Sequence, residues 1–181
     1  VDPILAYYIG NESYPAYSRD ELTGQLVKLK KKLTDYKSYA EKSITDIFEP
    51  EELEKADKLI VETQSSYWIQ NLGNGQWKWN KLPLQAQWAP IYDFAVNDFN
   101  GDGNMDFITG GNCEMTRTSF GHQDANYGQV FLGRADGTFE FLNVVQSGIA
   151  VSGEVRNIIS LNDELIFFRY QDTPLFYRII P

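Results

Sequence analysis

The sequence has little cysteine and little histidine, and this scarcity limits the chemistry that the chain can perform. Its 181 residues include one cysteine, Cys113, and one histidine, His122. A disulfide within the chain is therefore excluded, and a catalytic Cys–His pair would require these two side chains to meet. We interpret Cys113 as a small, partly buried residue instead. No G-x-S-x-G, metalloprotease or triad-like motif is present, so the sequence predicts a protein that is not an enzyme.

Long apolar runs and an excess of basic charge are also missing. No segment approaches the roughly 20 consecutive apolar residues of a membrane-spanning helix, so we expect no membrane span. The chain has 16 Lys and Arg against 25 Asp and Glu, which gives a net charge of −9. That balance argues against binding nucleic acid through its phosphates. Hydrophobic residues make up 43 % and aromatic residues 14 %, which indicates a folded, β-rich chain.

The most informative pattern is the run of residues 98–106, in which oxygen-bearing side chains alternate with other residues. Calcium binds about six to eight oxygen ligands at roughly 2.3–2.6 Å. Glycines at 101 and 103 allow the backbone to turn tightly around an ion. The run therefore predicts a calcium site, with side-chain oxygens or, at the fourth position, a backbone carbonyl as ligands: Asp98, Asn100, Asp102, Asn104 and Asp106. The alternative is a solvated acidic turn between strands.

The residues on either side of this loop indicate which kind of calcium site it is. An EF-hand loop lies between helices and has a bidentate Glu at its twelfth position, where this chain has Thr109. Residues 91–96 and 107–111 are rich in aromatic and β-branched residues, so both are predicted strands. A catalytic metal would keep an open position near acid–base groups, and no such set is evident. We therefore expect Ca²⁺ to have a structural role.

The chain is predicted to divide into a helical segment, residues 1–57, and a β-rich part, residues 58–181. Ser18 and Glu21 form a capping-box pattern, and apolar residues follow at helical spacing: Leu22, Leu26, Leu29 and Leu33. Further short helices are expected over 35–42 and from Pro50 to Ala56. One basic patch contains Lys28, Lys30, Lys31 and Lys32. This patch is either a solvated helix face or a docking surface for an acidic partner.

The β-rich part shows an internal repeat. Residues 71–79 are similar to residues 133–141, with the turn pairs Asn74-Gly75 and Asp136-Gly137 at corresponding places, and such pairs favour hairpins. Aromatic residues alternate with polar ones after each turn, which predicts that one face of each strand is buried. Residues 155–170 indicate another strand pair with a tight turn at Asn162. About four strands per roughly 60 residues is typical of propeller blades, and unrelated hairpins are the alternative.

Residues 94–107 resemble the FG-GAP/VCBS repeat, and residues 72–77 resemble the glycine-rich hairpin of that repeat. Further stretches are similar to the C-terminal part of large exported VCBS-repeat proteins of Bacteroidetes-type bacteria, which often carry an ASPIC/UnbV module: residues 13–22, 29–32, 110–112, 124–128 and 152–156. The resemblance implies a calcium-bearing β-propeller that is exported or attached to the cell surface and acts in binding or assembly. It also implies that the helical segment is an insertion between blades.

About two blades are expected here, whereas a propeller closes with roughly four to eight. The open sheet edges would then be completed by further blades of a longer protein, by a homodimer or by another partner. We expect binding of a protein or carbohydrate at the cell surface, through the loop of residues 113–127 or through tryptophans. The loop residues concerned are Glu114, Arg117, His122, Gln123 and Asp124, and the tryptophans are Trp68, Trp77, Trp79 and Trp88, of which at least two are expected in the core.

Two other functions remain open at this point. One is an accessory or catalytic domain of an extracellular glycan-acting enzyme, with acid–base groups drawn from Glu114, His122 and Asp124. The other is a purely structural protein, in which the stripe of leucines from Leu22 to Leu33 packs against a neighbouring domain.

Overall fold

A computed structural model describes residues 3–116 and 121–180, and these form two compact units, Val1–Glu62 and Thr63–Pro181. The protein is mainly β, as the sequence predicted, and its described residues form four separate antiparallel sheets. Over the described ranges, these small sheets do not close into a barrel or a propeller. No helix in the described part of the chain is long and apolar enough to cross a membrane.

The first unit begins with a β-hairpin, which the prediction of an all-helical segment missed. Its strands are β1 (Ala6–Ile9) and β2 (Glu12–Pro15), and Gly10 in the turn has φ of +61°. Short helices follow: α1 (Arg19–Gln25), a 3₁₀ turn (Val27–Lys31), α2 (Tyr36–Tyr39), α3 (Ile44–Ile47) and α4 (Pro50–Glu54). The predicted caps are confirmed, because Ser18 and Glu21 form a capping box and Pro50 is the first residue of α4.

The leucine stripe of the first unit packs into the core of that unit. The helix breaks at Leu26, whose backbone is not helical, so the predicted single helix is in fact α1 followed by a 3₁₀ turn. Leu22, Leu29 and Leu33 are nevertheless buried together with Ile47 and Phe48. This burial within the unit disfavours the alternative in which the stripe packs against a neighbouring domain.

The basic patch is partly neutralised within the same unit. Lys28 pairs with Glu52, and Lys32 pairs with Glu49 at 2.9 Å. Both acidic partners lie on or beside α4, so the lysines help to hold this helix against the 3₁₀ turn. These contacts favour a solvated surface over a docking patch for an acidic partner.

The described part of the second unit contains nine strands, and neighbours in each sheet follow chain order. A separate hairpin is formed by β3 (Tyr67–Gly73) and β4 (Gln76–Lys81). A four-stranded sheet contains β5 (Ile91–Asn97), β6 (Asp106–Gly111), β7 (Gln129–Gly133) and β8 (Phe139–Leu142). A three-stranded sheet contains β9 (Val155–Leu161), β10 (Glu164–Arg169) and β11 (Leu175–Arg178). A 3₁₀ turn (Leu84–Gln87) precedes β5, and helix α5 (Val144–Ser147) follows β8.

The four-stranded sheet has an apolar layer on each face, because successive side chains on a strand point in opposite directions. One layer contains Ile108 of β6 and joins the core residues of the three-stranded sheet, including Val155 and Phe167. The other layer is aromatic, and its Phe107 and Phe131 rings stack 4.5 Å apart. Strand β6 is consequently buried along its whole length.

A charged group also ties the two larger sheets together. On β5, one carboxylate oxygen of Asp93 accepts hydrogen bonds from the backbone N–H of Ile158 at 2.7 Å and from the side-chain amide of Asn157 at 2.8 Å. Both partners lie on β9, so this carboxylate fixes β9 beside β5.

The tryptophans are less buried than the alternation of residues predicted. Trp77 and Trp79 are 56 % and 63 % exposed, since the face of the β3–β4 hairpin on which they lie is uncovered. Trp68, on the opposite face, contacts Phe139 edge to face at 6.2 Å. Trp88 is half exposed and contacts Phe141 in the same manner. The predicted burial of the strand face with Trp77 and Trp79 is therefore wrong.

Candidate metal centre

The predicted calcium loop joins two strands, as the sequence indicated. Asn97 at the end of β5 pairs with Asp106 at the start of β6, so the loop between them lies at one end of the sheet. Gly101 and Gly103 have φ of +76° and +87°, a backbone conformation that glycine adopts without steric cost. The turn therefore requires both glycines.

The carboxylate of Asp98 lies at the centre of this turn. Its Oδ1 accepts the backbone N–H groups of Gly101 at 2.8 Å and Asp102 at 3.1 Å. Its Oδ2 accepts the N–H of Gly103 at 2.8 Å. Three backbone N–H groups thus converge on one side chain. These hydrogen bonds hold the loop around Asp98 without the help of an ion.

Asp102 organises the second half of the loop. Its Oδ1 accepts the backbone N–H of Asn104 at 2.8 Å, and its Oδ2 accepts the side-chain amide of Asn100 at 3.1 Å. The first of these bonds, supported by the second, lowers the pKa of Asp102 below its ordinary value. This exposed carboxylate is therefore ionised at neutral pH and is available to a cation.

Asp106 differs from the other predicted ligands because it is completely buried. Its Oδ2 accepts the N–H of Phe99 in the loop at 2.9 Å, and its Oδ1 accepts the N–H of Gly133 at the end of β7 at 2.7 Å. Gly133 must lack a side chain, since a Cβ there would lie 2.2 Å from the carbonyl oxygen of Met105. Asp106 thus links the loop to the third strand of the sheet, a role that the motif did not reveal.

The donor set suits a hard cation by its chemistry. It consists of carboxylate and amide oxygens, which Ca²⁺ prefers to nitrogen and sulfur. Each carboxylate oxygen that accepts one hydrogen bond keeps a second lone pair. Among the described residues, no three His, Cys, Asp or Glu side chains form a ready cluster for a metal ion. A calcium shell here would thus rely on Asn100 and on the backbone carbonyl of Asn104 in addition to the carboxylates.

A buried polar network, which sequence reasoning missed, lies at the other end of β6. Asn112, with φ of +78°, donates to the carbonyl oxygens of Asn126 at 2.7 Å and Gly153 at 3.0 Å. Asn126 in turn donates to the hydroxyl of Thr109 at 3.1 Å. The side-chain polar atoms of this network have hydrogen-bond partners. The network therefore holds together the chain segments around Asn112, Asn126 and Gly153, and it leaves no buried polar side-chain atom free to bind a ligand.

Of the predicted binding residues in the polar loop of residues 113–127, only Glu114 lines a described cleft. Arg117 lies outside the described residues, and His122, Gln123 and Asp124 are exposed. Glu114 is exposed as well and lines a cleft of about 290 Å³ together with Glu154, Tyr170 and Asp172. Cys113 is a half-buried free thiol, in agreement with its interpretation as a packing residue.

Glu154 in this cleft should make stability depend on pH. It is buried, its Oε1 accepts the backbone N–H groups of Glu114 and Met115, and its Oε2 pairs with Arg156. The Glu114 bond above all, and then Arg156, hold the pKa of Glu154 below its ordinary value. Because this pKa is lower in the folded state, the stabilisation is complete above the ordinary carboxyl pKa and is lost as pH falls through the lowered value.

Thermal unfolding between about pH 7 and pH 3 measures this effect. Glu154→Gln should be less stable than the parent protein at pH 7 and should lose less stability on acidification. Glu51→Gln, at an exposed position on α4, is the control for the removal of one carboxylate and should retain the parent profile. Parallel profiles for the parent and Glu154→Gln would contradict the proposed linkage.

Comparison of the chain with family models, with curated proteins and with solved structures gave no match.

Proposed function

We propose that this chain is a non-enzymatic, calcium-stabilised β-repeat segment of an exported protein that acts in binding or surface assembly. The observation that carries the proposal is the loop of residues 98–106, in which Asp98, Asp102 and Asp106 lie within nine residues and between two paired strands. A loop of this type suits the millimolar calcium found outside cells better than the calcium level of the cytosol.

The ion would act by relieving repulsion within the loop. Three carboxylates in so short a segment repel one another unless a cation or hydrogen bonds offset their charge. Asp102 is exposed and Asp98 is half-buried at the centre of the turn, whereas Asp106 is fully buried and bonded to Gly133 of β7. A cation bound to this set would therefore stabilise the four-stranded sheet in addition to the loop.

The proposal includes a propeller-type arrangement of the sheets in the longer protein. Support comes from the order of the strands, since each larger sheet is a meander of neighbouring strands and the two share one core. The hairpins at residues 71–79 and 133–141 also correspond to each other in turn chemistry. In this proposal, the separate β3–β4 hairpin is part of a further blade.

A protein or carbohydrate at the cell surface is the proposed ligand class. Support comes from the aromatic side chains that the second unit exposes, especially Trp77 and Trp79 on one face of β4. Aromatic faces of this kind stack on sugar rings and fill protein interfaces.

Calcium should raise the thermal stability of the chain, and excess EGTA should reverse the rise. A ligand that binds only the folded state adds about 2.7 kcal/mol at one hundred times its dissociation constant. In a chain of this size, we expect an increase of about 5–10 °C in the unfolding temperature. Scanning calorimetry with saturating calcium and then with EGTA measures the difference.

Asp102→Ala should abolish this response, because Asp102 holds the loop together and offers an ionised carboxylate. Asp136→Ala is the matched control, since Asp136 also accepts hydrogen bonds in an exposed turn but lies between β7 and β8. This control should retain the full calcium response. An unfolding temperature that is the same in calcium and in EGTA would refute the calcium assignment.

A further inference from the structure

The sequence contains two Asn-Gly pairs, Asn74-Gly75 in the β3–β4 turn and Asn100-Gly101 in the loop of residues 98–106. Glycine has no side chain to shield its backbone nitrogen, so that nitrogen can reach the side-chain carbonyl carbon of the asparagine before it. Such a pair is therefore open to spontaneous deamidation. All four residues are exposed, so burial does not distinguish the two pairs, and the hydrogen bonds at each pair decide which one reacts.

Hydrogen bonds hold both reacting groups of the second pair. The backbone N–H of Gly101, whose nitrogen would attack, donates to Oδ1 of Asp98 at 2.8 Å. The side chain of Asn100, which would be attacked, accepts the N–H of Asp102 at 3.0 Å and donates to the carboxylate of Asp102 at 3.1 Å. Hydrogen bonds to carboxylates are stronger than those between neutral groups. Deamidation of Asn100 therefore requires several of these bonds to break together.

The first pair has no such restraint. In the part of the chain that the structure describes, the side chain of Asn74 forms no hydrogen bond, and the N–H of Gly75 donates to no other residue. Gly73 pairs with Gln76 across the hairpin, so Asn74 and Gly75 are the two residues of its turn. Strands added beside β3 or β4 would pair with those strands and not with the turn. The difference between the two pairs therefore does not depend on further blades.

We propose that Asn74 is a site of spontaneous deamidation and that the loop of residues 98–106 protects Asn100 from the same reaction. The nitrogen of Gly75 forms a bond to Cγ of Asn74. The bond from Cγ to Nδ2 breaks, and Nδ2 leaves as ammonia with the proton that Gly75 has lost. Water then opens the resulting succinimide ring at either of its two carbonyl groups, which gives aspartate or isoaspartate at position 74.

The two products change the hairpin in different ways. Both add a negative charge at position 74, and isoaspartate also lengthens the backbone by one methylene group. The turn that pairs Gly73 with Gln76 cannot keep its geometry with a longer backbone, because the turn sets the register of a hairpin. Trp77 and Trp79 follow on β4 and are exposed. Formation of isoaspartate should therefore loosen the strand that carries these two rings.

Peptide mapping of the full chain by mass spectrometry, after incubation in mildly alkaline buffer, tests the proposal. In guanidinium chloride, both pairs should react at similar rates, because the folded structure no longer restrains either of them. In the folded chain, Asn100 should react at least about tenfold more slowly than Asn74, since breaking one hydrogen bond to a carboxylate corresponds to roughly such a factor. Asn71 is the internal control. It is exposed on the same hairpin but precedes Leu72, so it should stay unmodified.

Substitutions in two turns test the protection of Asn100. Asp98→Ala should raise the rate at Asn100 towards the rate in guanidinium chloride and should leave the rate at Asn74 unchanged. Asp136→Ala, in another exposed turn, is the matched control and should change neither rate. Equal acceleration at Asn74 and Asn100 in Asp98→Ala, or none at Asn100, would contradict the protection. A folded parent chain in which Asn74 stays unmodified, or in which Asn100 reacts as fast as Asn74, would refute the proposal.

Discussion

Gly111→Ala is expected to destabilise the second unit by about 3 kcal/mol or more. Gly111 ends β6 and lies so close to the preceding connection that a Cβ would be 1.7 Å from the carbonyl oxygen of Pro90. Both sides of this contact are backbone, so no side-chain rotation can relieve the clash. Urea unfolding, followed by tryptophan fluorescence, measures the loss because all four tryptophans lie between residues 68 and 88.

Gly24→Ala is the control for the removal of a glycine. An added Cβ there would meet no atom within 4 Å, and Gly24 lies inside α1. Alanine at a helical position of this kind should be neutral or should stabilise by up to about 1 kcal/mol. If Gly111→Ala changed the free energy of unfolding as little as Gly24→Ala does, the close approach at Pro90 would be wrong.

Asp106→Ala is expected to cost about 3 kcal/mol or more, and the cost should be present even in EGTA. The substitution removes a fully buried carboxylate and leaves the N–H groups of Phe99, which is half-buried, and of Gly133, which is buried, without their acceptor. It therefore detaches the loop from β7 without involving an ion. Asp102→Ala should differ in kind, because its main effect should appear only when calcium is present. Unfolding in urea, with calcium and with EGTA, separates the two cases.

Asp106→Asn refines this prediction. An amide keeps one oxygen acceptor but presents an N–H₂ group to the second donor, so one of the two hydrogen bonds is lost. The loss of stability should thus lie between those of the parent and Asp106→Ala. A parent-like free energy of unfolding for Asp106→Ala in EGTA would show that the bonds to Phe99 and Gly133 do not hold the sheet together.

Features set by neighbouring residues could be predicted from the sequence. The hairpin at Asn74-Gly75 forms because Asn74 and Gly75 adopt positive φ there. The cap at Ser18 and the helix start at Pro50 depend on contacts within one turn. The loop of residues 98–106 lies between two strands for the same reason, since alternating oxygens, glycines and flanking β-formers are all local.

Features set by distant residues could not be predicted in this way. Glu154 accepts a hydrogen bond from the backbone of Glu114, 40 positions earlier, and Asp106 from Gly133, 27 positions later. The exposure of Trp77 and Trp79 has the same origin, because alternation shows which residues share a face but not whether anything covers it. Tyr7 and Tyr8 form part of strand β1. The sequence prediction missed this strand because the helical pattern of the following residues dominated the prediction for residues 1–57.

The backbone bridge between Cys113 and Gln123 has a consequence for how this scaffold can change in length. Each residue donates its N–H to the carbonyl oxygen of the other, at 2.8 and 3.0 Å, so the chain leaves and returns at one point between β6 and β7. The register of the sheet is set outside this point, and closing a longer loop costs little additional entropy. A peptide of variable sequence inserted between Cys113 and Gln123 should therefore leave the pairing of β6 and β7 unchanged.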